Sequence, residues 1–183
     1  MSETLPPPPS VLRLFLCGYR GTGKTSVARP LAARLGWDWV DTDDRIEQAA
    51  GKSIAAIFAE DGETAFRDLE ERIVAETCGR DRLVVALGGG AVLREATRRR
   101  LREAGRVVGL TADAATLAQR ITGDAATGAR RPNLTAAGGL AEIEQVLAER
   151  QPIYQEVADL QLSTEGRPPE AIADAIAEWL ANS

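Results

Sequence analysis

The sequence predicts an α/β fold, an open and mostly parallel sheet covered by helices on both faces. Two observations carry this. Short apolar runs alternate with longer amphipathic stretches along nearly the whole chain, as repeated strand–helix units do. The runs at 11–17, broken only by Arg13, and at 83–87 are apolar, the pattern of strands buried on both faces. A third observation places function. Glycine turns follow those runs, at Gly18 and at Gly88-Gly89-Gly90, and open parallel sheets bind ligands at the carboxyl ends of their strands.

The elements follow in order. Residues 11–17 form the first strand and 24–35 a helix closed by Gly36. A second strand spans 37–40. Helices follow at 42–50, 53–60 and 63–78, with breaks at Gly51 and at Asp61-Gly62. The third strand is 83–87, then a helix at 94–104, a fourth strand at 106–110 and a helix at 113–121. The stretch 122–139 is rich in Gly, Ala and Arg and has the composition of a mobile loop. Helical spacing returns at 140–157, with an interruption expected at Pro152. A last strand at 159–163 and an amphipathic helix at 168–181 complete the chain, the helix placing Ile172, Ile176, Trp179 and Leu180 on one face. Pro30 is unusual inside the first helix, where it removes an N–H. No internal repeat or linker divides the chain.

Bulk composition narrows the function. The 183 residues suit one domain with a full core. The net charge of −5 argues against a general nucleic-acid binder. No run of apolar residues is long enough to span a bilayer. Residues 1–10 contain four prolines and lack the charged and apolar regions of a signal peptide; an extended, disordered leader is expected. Cys17 and Cys78 are the only cysteines. They make no disulfide framework, and a reducing cytoplasm is the simpler setting. Histidine is absent, which excludes His-based triads, bases and metal sites. Chemistry must therefore rest on carboxylates, Lys, Arg, backbone N–H groups and an oxygen-bound metal.

The segment Gly18-Tyr19-Arg20-Gly21-Thr22-Gly23-Lys24-Thr25 fits the phosphate-binding pattern G-x-x-x-x-G-K-[ST] without a gap. Glycines let the backbone curl until successive N–H groups point at phosphate oxygens. The following helix adds its positive end. Lys24 brings a mobile charge to the β- and γ-phosphates, and the Thr25 hydroxyl can ligate Mg²⁺. Gly21, Thr22, Gly23, Lys24, Thr25 and Ser26 are the expected nucleotide contacts.

Asp41-Thr42-Asp43 comes next. On an extended chain, residues two apart point the same way. One carboxylate could hold Mg²⁺ through water while the other accepts a hydroxyl proton. The alternative is an N-cap at Thr42 or Asp43 beside exposed carboxylates. Arg67 and Glu70 share a helix face. Arg67 could grip a carboxylate with two parallel bonds, its guanidinium fixed by Glu70; the alternative is a surface ion pair. Gly88, Gly89 and Gly90 permit close approach of a ligand to backbone, or make a plain turn. Arg120, Arg130 and Arg131 flank or lie in the 122–139 loop, which could close over a nucleotide. The run Arg98-Arg99-Arg100 with Arg102 reads as a solvated helix face.

Together these residues resemble the shikimate kinase family from about residue 11 to residue 180. The resemblance rests on GYRGTGKT, the DTD of Asp41–Asp43 followed by Ile46-Glu47, SIAAIF, FRDLE, GGG, the RPNL that begins at Arg131 and the RQPIY that begins at Arg150. It implies a P-loop fold like that of the nucleoside monophosphate kinases, with strand order 2-3-1-4-5, a helical substrate-binding segment at about 42–78 and a lid at about 122–139. It implies Mg²⁺-dependent transfer of the ATP γ-phosphate to the 3-hydroxyl of shikimate, by a cytoplasmic monomer acting on small molecules. Asp43, Arg67, Gly89, Gly90 and Arg150 match its shikimate contacts, with Gly88 beside them, and Phe58 and Phe66 its apolar wall. Asp43 is also the implied base. Asp41 matches the outer-sphere Mg²⁺ residue, Arg131 the lid arginine, and Arg120 and Arg167 the adenine-side arginines. The chain departs from the family in Pro30, in RPNL where many members have RPLL, and in a longer lid rich in Ala and Gly. Two other readings stay open: a gluconate-type or nucleotide kinase of the same architecture, and a nucleotide-binding regulatory module without catalysis.

Overall fold

A computed structural model describes residues 12–123 and 139–183. Its sheet has five parallel strands: β1 (Arg13–Cys17), β2 (Asp38–Asp41), β3 (Leu83–Ala86), β4 (Arg106–Thr111) and β5 (Leu160–Ser163). Their order is β2-β3-β1-β4-β5, as expected. The first and central strand β1 sets the register: Phe15 lies beside Val85 of β3 and Val107 of β4.

Alternation along the strands builds two cores. Leu14 and Leu16 of β1, Val84 and Ala86 of β3, and Val108 and Leu110 of β4 turn to one face. There they meet α1 (Lys24–Leu35) and the C-terminal helix α8 (Pro169–Ala181). Phe15, Cys17, Leu83, Val85 and Val107 turn to the other face. They meet α4 (Gly62–Cys78), α5 (Glu95–Ala104), α6 (Ala114–Gly123) and α7 (Gly139–Val157). Each fully buried Leu or Phe contributes about 1.5–3 kcal/mol by leaving water. A smaller third core joins α2 (Thr42–Ala50), α3 (Ile54–Glu60) and α4 through Ile46, Ile54, Ile57, Phe66 and Ile73. That core braces the helical segment beside the ends of β2 and β3.

Three local readings are corrected. Trp37 does not open β2, because its N–H closes the end of α1 on the Ala32 carbonyl, and the ladder starts at Asp38. Helix α7 runs through Pro152 unbroken; buried Ile143 and Val146 before it, and Tyr154 and Val157 after it, anchor both halves. Helix α1 spans Pro30 as its expected bounds require, held by buried Val27, Ala28, Leu31 and Ala32. Arg98 is not part of a solvated face. It donates to the Val92 and Leu93 carbonyls, and Arg102 reaches Glu156. Residues 1–10, Arg130, Arg131 and most of the expected lid lie outside the described residues.

Candidate active site

A cleft of about 560 Å³ opens at the carboxyl ends of the strands. The turn after β1 forms its floor. Gly18, Gly21 and Gly23 all have positive φ, and a side chain at Gly18 would strike the Leu110 carbonyl. The turn therefore needs glycine for both conformation and space. Thr22 donates from its hydroxyl to the Tyr19 carbonyl at 2.8 Å, tightening the loop. Lys24 Nζ donates to the Gly18 and Tyr19 carbonyls, both at 2.8 Å. Its charge is thus carried over the loop rather than into solvent. Ser26 lines the cleft from the first turn of α1.

The end of β2 supplies the carboxylates. Asp41 and Asp43 both line the cleft. The N-cap of α2 is Asp41, not Thr42 or Asp43: its Oδ1 accepts the Asp43 N–H at 2.8 Å. Its Oδ2 accepts from the Thr25 hydroxyl at 2.5 Å. Burial raises the Asp41 pKa, the Thr25 hydrogen bond lowers it, and the charge on Asp43 raises it again, leaving it above the usual carboxylate range. A carboxylate shifted upward by folding stabilises the protein at low pH, and that contribution is lost as pH rises through its folded pKa. Asn caps a helix as well as Asp does. Asp41→Asn should therefore melt slightly higher than the parent at pH 7. Melting curves from pH 7 down to about pH 4, the ordinary carboxylate value, should show that advantage shrinking.

Arg67 of α4 is buried, with its side chain only 10% exposed, and Glu70 is more buried still at 3%. They pair at 2.6 Å, so a surface ion pair is excluded. An apolar pair of the same volume is often neutral or more stable by about 1–4 kcal/mol. The pair is therefore weak evidence of a contribution to stability. Gly90 packs against it, and a methyl group at that position would collide with the guanidinium. Phe66 lies beneath, 5.1 Å from its ring centroid to the Arg67 Cζ, and Phe58 stacks on Phe66 at 4.6 Å.

The remaining expected residues are distributed as follows. Gly88, Gly89, Arg120 and Arg167 line the cleft, whereas Phe58, Phe66, Arg67 and Gly90 are not among its lining residues. Arg120 donates to the Gly21 carbonyl and to both oxygens of Thr164, joining the floor to the loop after β5. Arg167 is exposed and contacts the Ala171 carbonyl. Arg150 stands on α7 beside the Tyr154 phenol and is not among the residues lining the cleft.

The family profile described as shikimate kinase matches residues 20–181. The chain belongs to the shikimate kinase family. A shikimate kinase from Rhodopirellula baltica is 45% identical over 159 residues, 87% of this chain and 85% of its own. One from Thermobifida fusca is 49% identical over 166 residues, 90% and 92% of the two chains. Among solved structures, shikimate kinase from Acinetobacter baumannii in complex with shikimate superposes with a TM-score of 0.88 at 32% identity, covering 94% of each chain. A gluconokinase from Sinorhizobium meliloti superposes with a TM-score of 0.55 at 18% identity and shares the fold alone. This shikimate kinase family member is accordingly a P-loop phosphotransferase.

Sequence reading missed several residues that shape the site. Arg20, inside the phosphate loop, pairs at 3.0 Å with Glu142 of α7, which is fully buried. Thr42 and Tyr154 bond the glycine turn after β3. Tyr154 carried a signal, since it lies one helical turn from Arg150. Glu142 carried none.

Proposed function

We propose that this chain transfers the γ-phosphate of Mg-ATP to the 3-hydroxyl of shikimate, giving shikimate 3-phosphate for chorismate and aromatic amino acid synthesis. The observation that carries the reading is the buried Arg67, held by Glu70 and seated on Gly90, the neighbour of Gly89, which lines a cleft together with Lys24 and Asp43. A cyclic acid with a carboxylate and ring hydroxyls matches that set.

The residues divide the work. The amides of Gly21 and Gly23, with Thr22 and Ser26, cradle the phosphates. Lys24 leaves its carbonyl partners for the β- and γ-oxygens and neutralises charge as the phosphoryl group moves. Arg67 and Arg150 orient the carboxylate of shikimate, while Phe58 and Phe66 close the apolar side. Asp43 accepts the proton of the attacking hydroxyl. Arg120 and Arg167 bound the adenine side, and Arg131 is assigned to the transferring phosphate. Among the described residues no three metal-ligating side chains cluster. Mg²⁺ does not need such a cage, since it keeps its waters and takes one or two protein oxygens beside phosphate. The Thr25 hydroxyl and the adjacent Asp41 carboxylate fit that need, and bound Mg²⁺ would neutralise phosphate charge there. No helix among the described residues is long and apolar enough to cross a membrane. A monomeric cytoplasmic enzyme without nucleic-acid partners is part of the same reading, supported by the acidic balance and the two unpaired thiols.

The test is ADP release from Mg-ATP with shikimate, quinate, gluconate or a nucleoside monophosphate offered separately. Turnover with shikimate is expected. Turnover only with gluconate or a nucleotide would move the assignment to another kinase, and nucleotide binding without any turnover would move it to a regulatory module. Arg67→Lys keeps the charge and loses the planar fork. It should raise KM for shikimate at least about tenfold and KM for ATP less than about twofold. Equal effects in steady-state kinetics would remove Arg67 as the carboxylate anchor.

A further inference from the structure

Three consecutive glycines make the turn after β3 the part of the site with the greatest backbone freedom. An acceptor site built on such a turn needs something to hold it. The turn's hydrogen bonds show what does. The Gly88 carbonyl accepts from Ala91 N–H and the Gly90 carbonyl from Leu93 N–H, both at 3.0 Å. Those bonds close the turn on itself. The other two come from distant side chains. Thr42 Oγ1 accepts the Gly88 N–H at 2.8 Å. The Tyr154 hydroxyl donates to the Gly89 carbonyl at 2.6 Å. All three carbonyls and the first N–H are thereby occupied. The N–H groups of Gly89 and Gly90 have no hydrogen-bond partner among the described residues. Buried backbone donors are nearly always paired, so these two are the donors the turn has to offer a ligand.

The two side chains are well suited to the task. Thr42 is fully buried, and Tyr154 is 5% exposed. Burial pushes the Tyr154 phenol up to about 12, so it stays a donor across the working range. Each also stands next to an expected acceptor contact. Thr42 lies between Asp41 and Asp43, and Tyr154 is one helical turn after Arg150.

We propose that Thr42 and Tyr154 are positioning residues for the acceptor, pinning the Gly88–Gly90 turn from α2 and α7 so that the Gly89 and Gly90 N–H groups keep one geometry toward it. This inference rests on the shikimate kinase reading of the same cleft. Both residues act through the turn, on the acceptor side of the cleft.

Near-isosteric variants test it: Thr42→Val and Tyr154→Phe, with Thr42→Ser as the conservative control. Steady-state kinetics are measured with shikimate and Mg-ATP varied in turn. Nucleotide binding and melting temperature are followed on the same samples. Each of the first two variants should raise KM for shikimate about five- to twentyfold, the effect of one lost hydrogen bond in a buried site. KM for ATP should stay within about twofold. Thr42→Ser should restore the parent KM for shikimate. An unchanged KM for shikimate in both Thr42→Val and Tyr154→Phe overturns the proposal. So does an equal rise in both KM values, which marks a general structural role. Should the parent enzyme fail to phosphorylate shikimate at all, it is the functional reading that falls. Normal parent activity with indifferent variants sinks this inference alone.

Discussion

Lys24→Met should lower kcat by at least about a thousandfold while the protein stays folded. Met matches the length of the Lys stem and lacks its charge. In the structure the ammonium donates to two carbonyls of its own loop, so it is already placed where phosphate oxygens would compete for it. Phosphoryl transfer demands little covalent chemistry from the protein and depends on charge neutralisation and alignment. Among the described residues, Arg20 is committed to Glu142 and Arg120 to Gly21 and Thr164, so neither is free to replace that charge. The core beneath the loop, with Leu14, Leu16, Val27 and Leu31, does not depend on the ammonium. The check is kcat beside circular dichroism and a melting curve. Turnover near that of the parent would take Lys24 out of the mechanism.

Asp43→Asn is expected to have the second largest effect, a fall in kcat of about 10²–10⁴. The amide retains the shape and hydrogen-bonding reach of the carboxylate but cannot accept a proton. Helix α2 should be untouched, because its cap is the Asp41 side chain receiving the backbone N–H of residue 43. Both KM values should therefore change little, and the loss should sit in kcat, as for a group acting mainly in the transition state. Rapid-quench measurement of the first turnover isolates that step. A full-rate first turnover in the variant would assign the proton to another acceptor.

The parts of this site that were legible in the sequence are those whose determinants are local. The phosphate loop is contiguous, with its strand, glycines, Lys24 and helix in direct succession, so spacing alone specifies it. The sheet was readable because β3 is apolar throughout, β1 is apolar after Arg13, and each strand is followed by a helix. Its strand order came from family resemblance, since periodicity does not encode which strands pair. The burial of Arg67 was not legible. An Arg three residues before a Glu reads the same on a surface helix, and only the packing of Gly90 against the guanidinium separates the two. The contacts that sequence reading missed join distant positions: Thr42 to Gly88 across 46 residues, Tyr154 to Gly89 across 65, and Arg20 to Glu142 across 122. The break expected at Pro152 failed for a related reason. Its local cost is offset by buried residues on both sides, and those belong to the tertiary fold.

Asp41 is one carboxylate in the service of two elements. One oxygen takes the hydroxyl of Thr25, on the nucleotide side, and the other caps α2, on the acceptor side. On the proposed function, a change that ATP made at Thr25 would pass to α2 through this carboxylate, and a change that the acceptor made at α2 would pass to Thr25. The two binding equilibria then form a closed thermodynamic square. The factor by which nucleotide sharpens affinity for the acid must equal the factor by which the acid sharpens affinity for nucleotide. Titrating each ligand in the presence and absence of the other, with a non-hydrolysable nucleotide, reads that single factor from both sides, and Asp41→Asn should bring it closer to one.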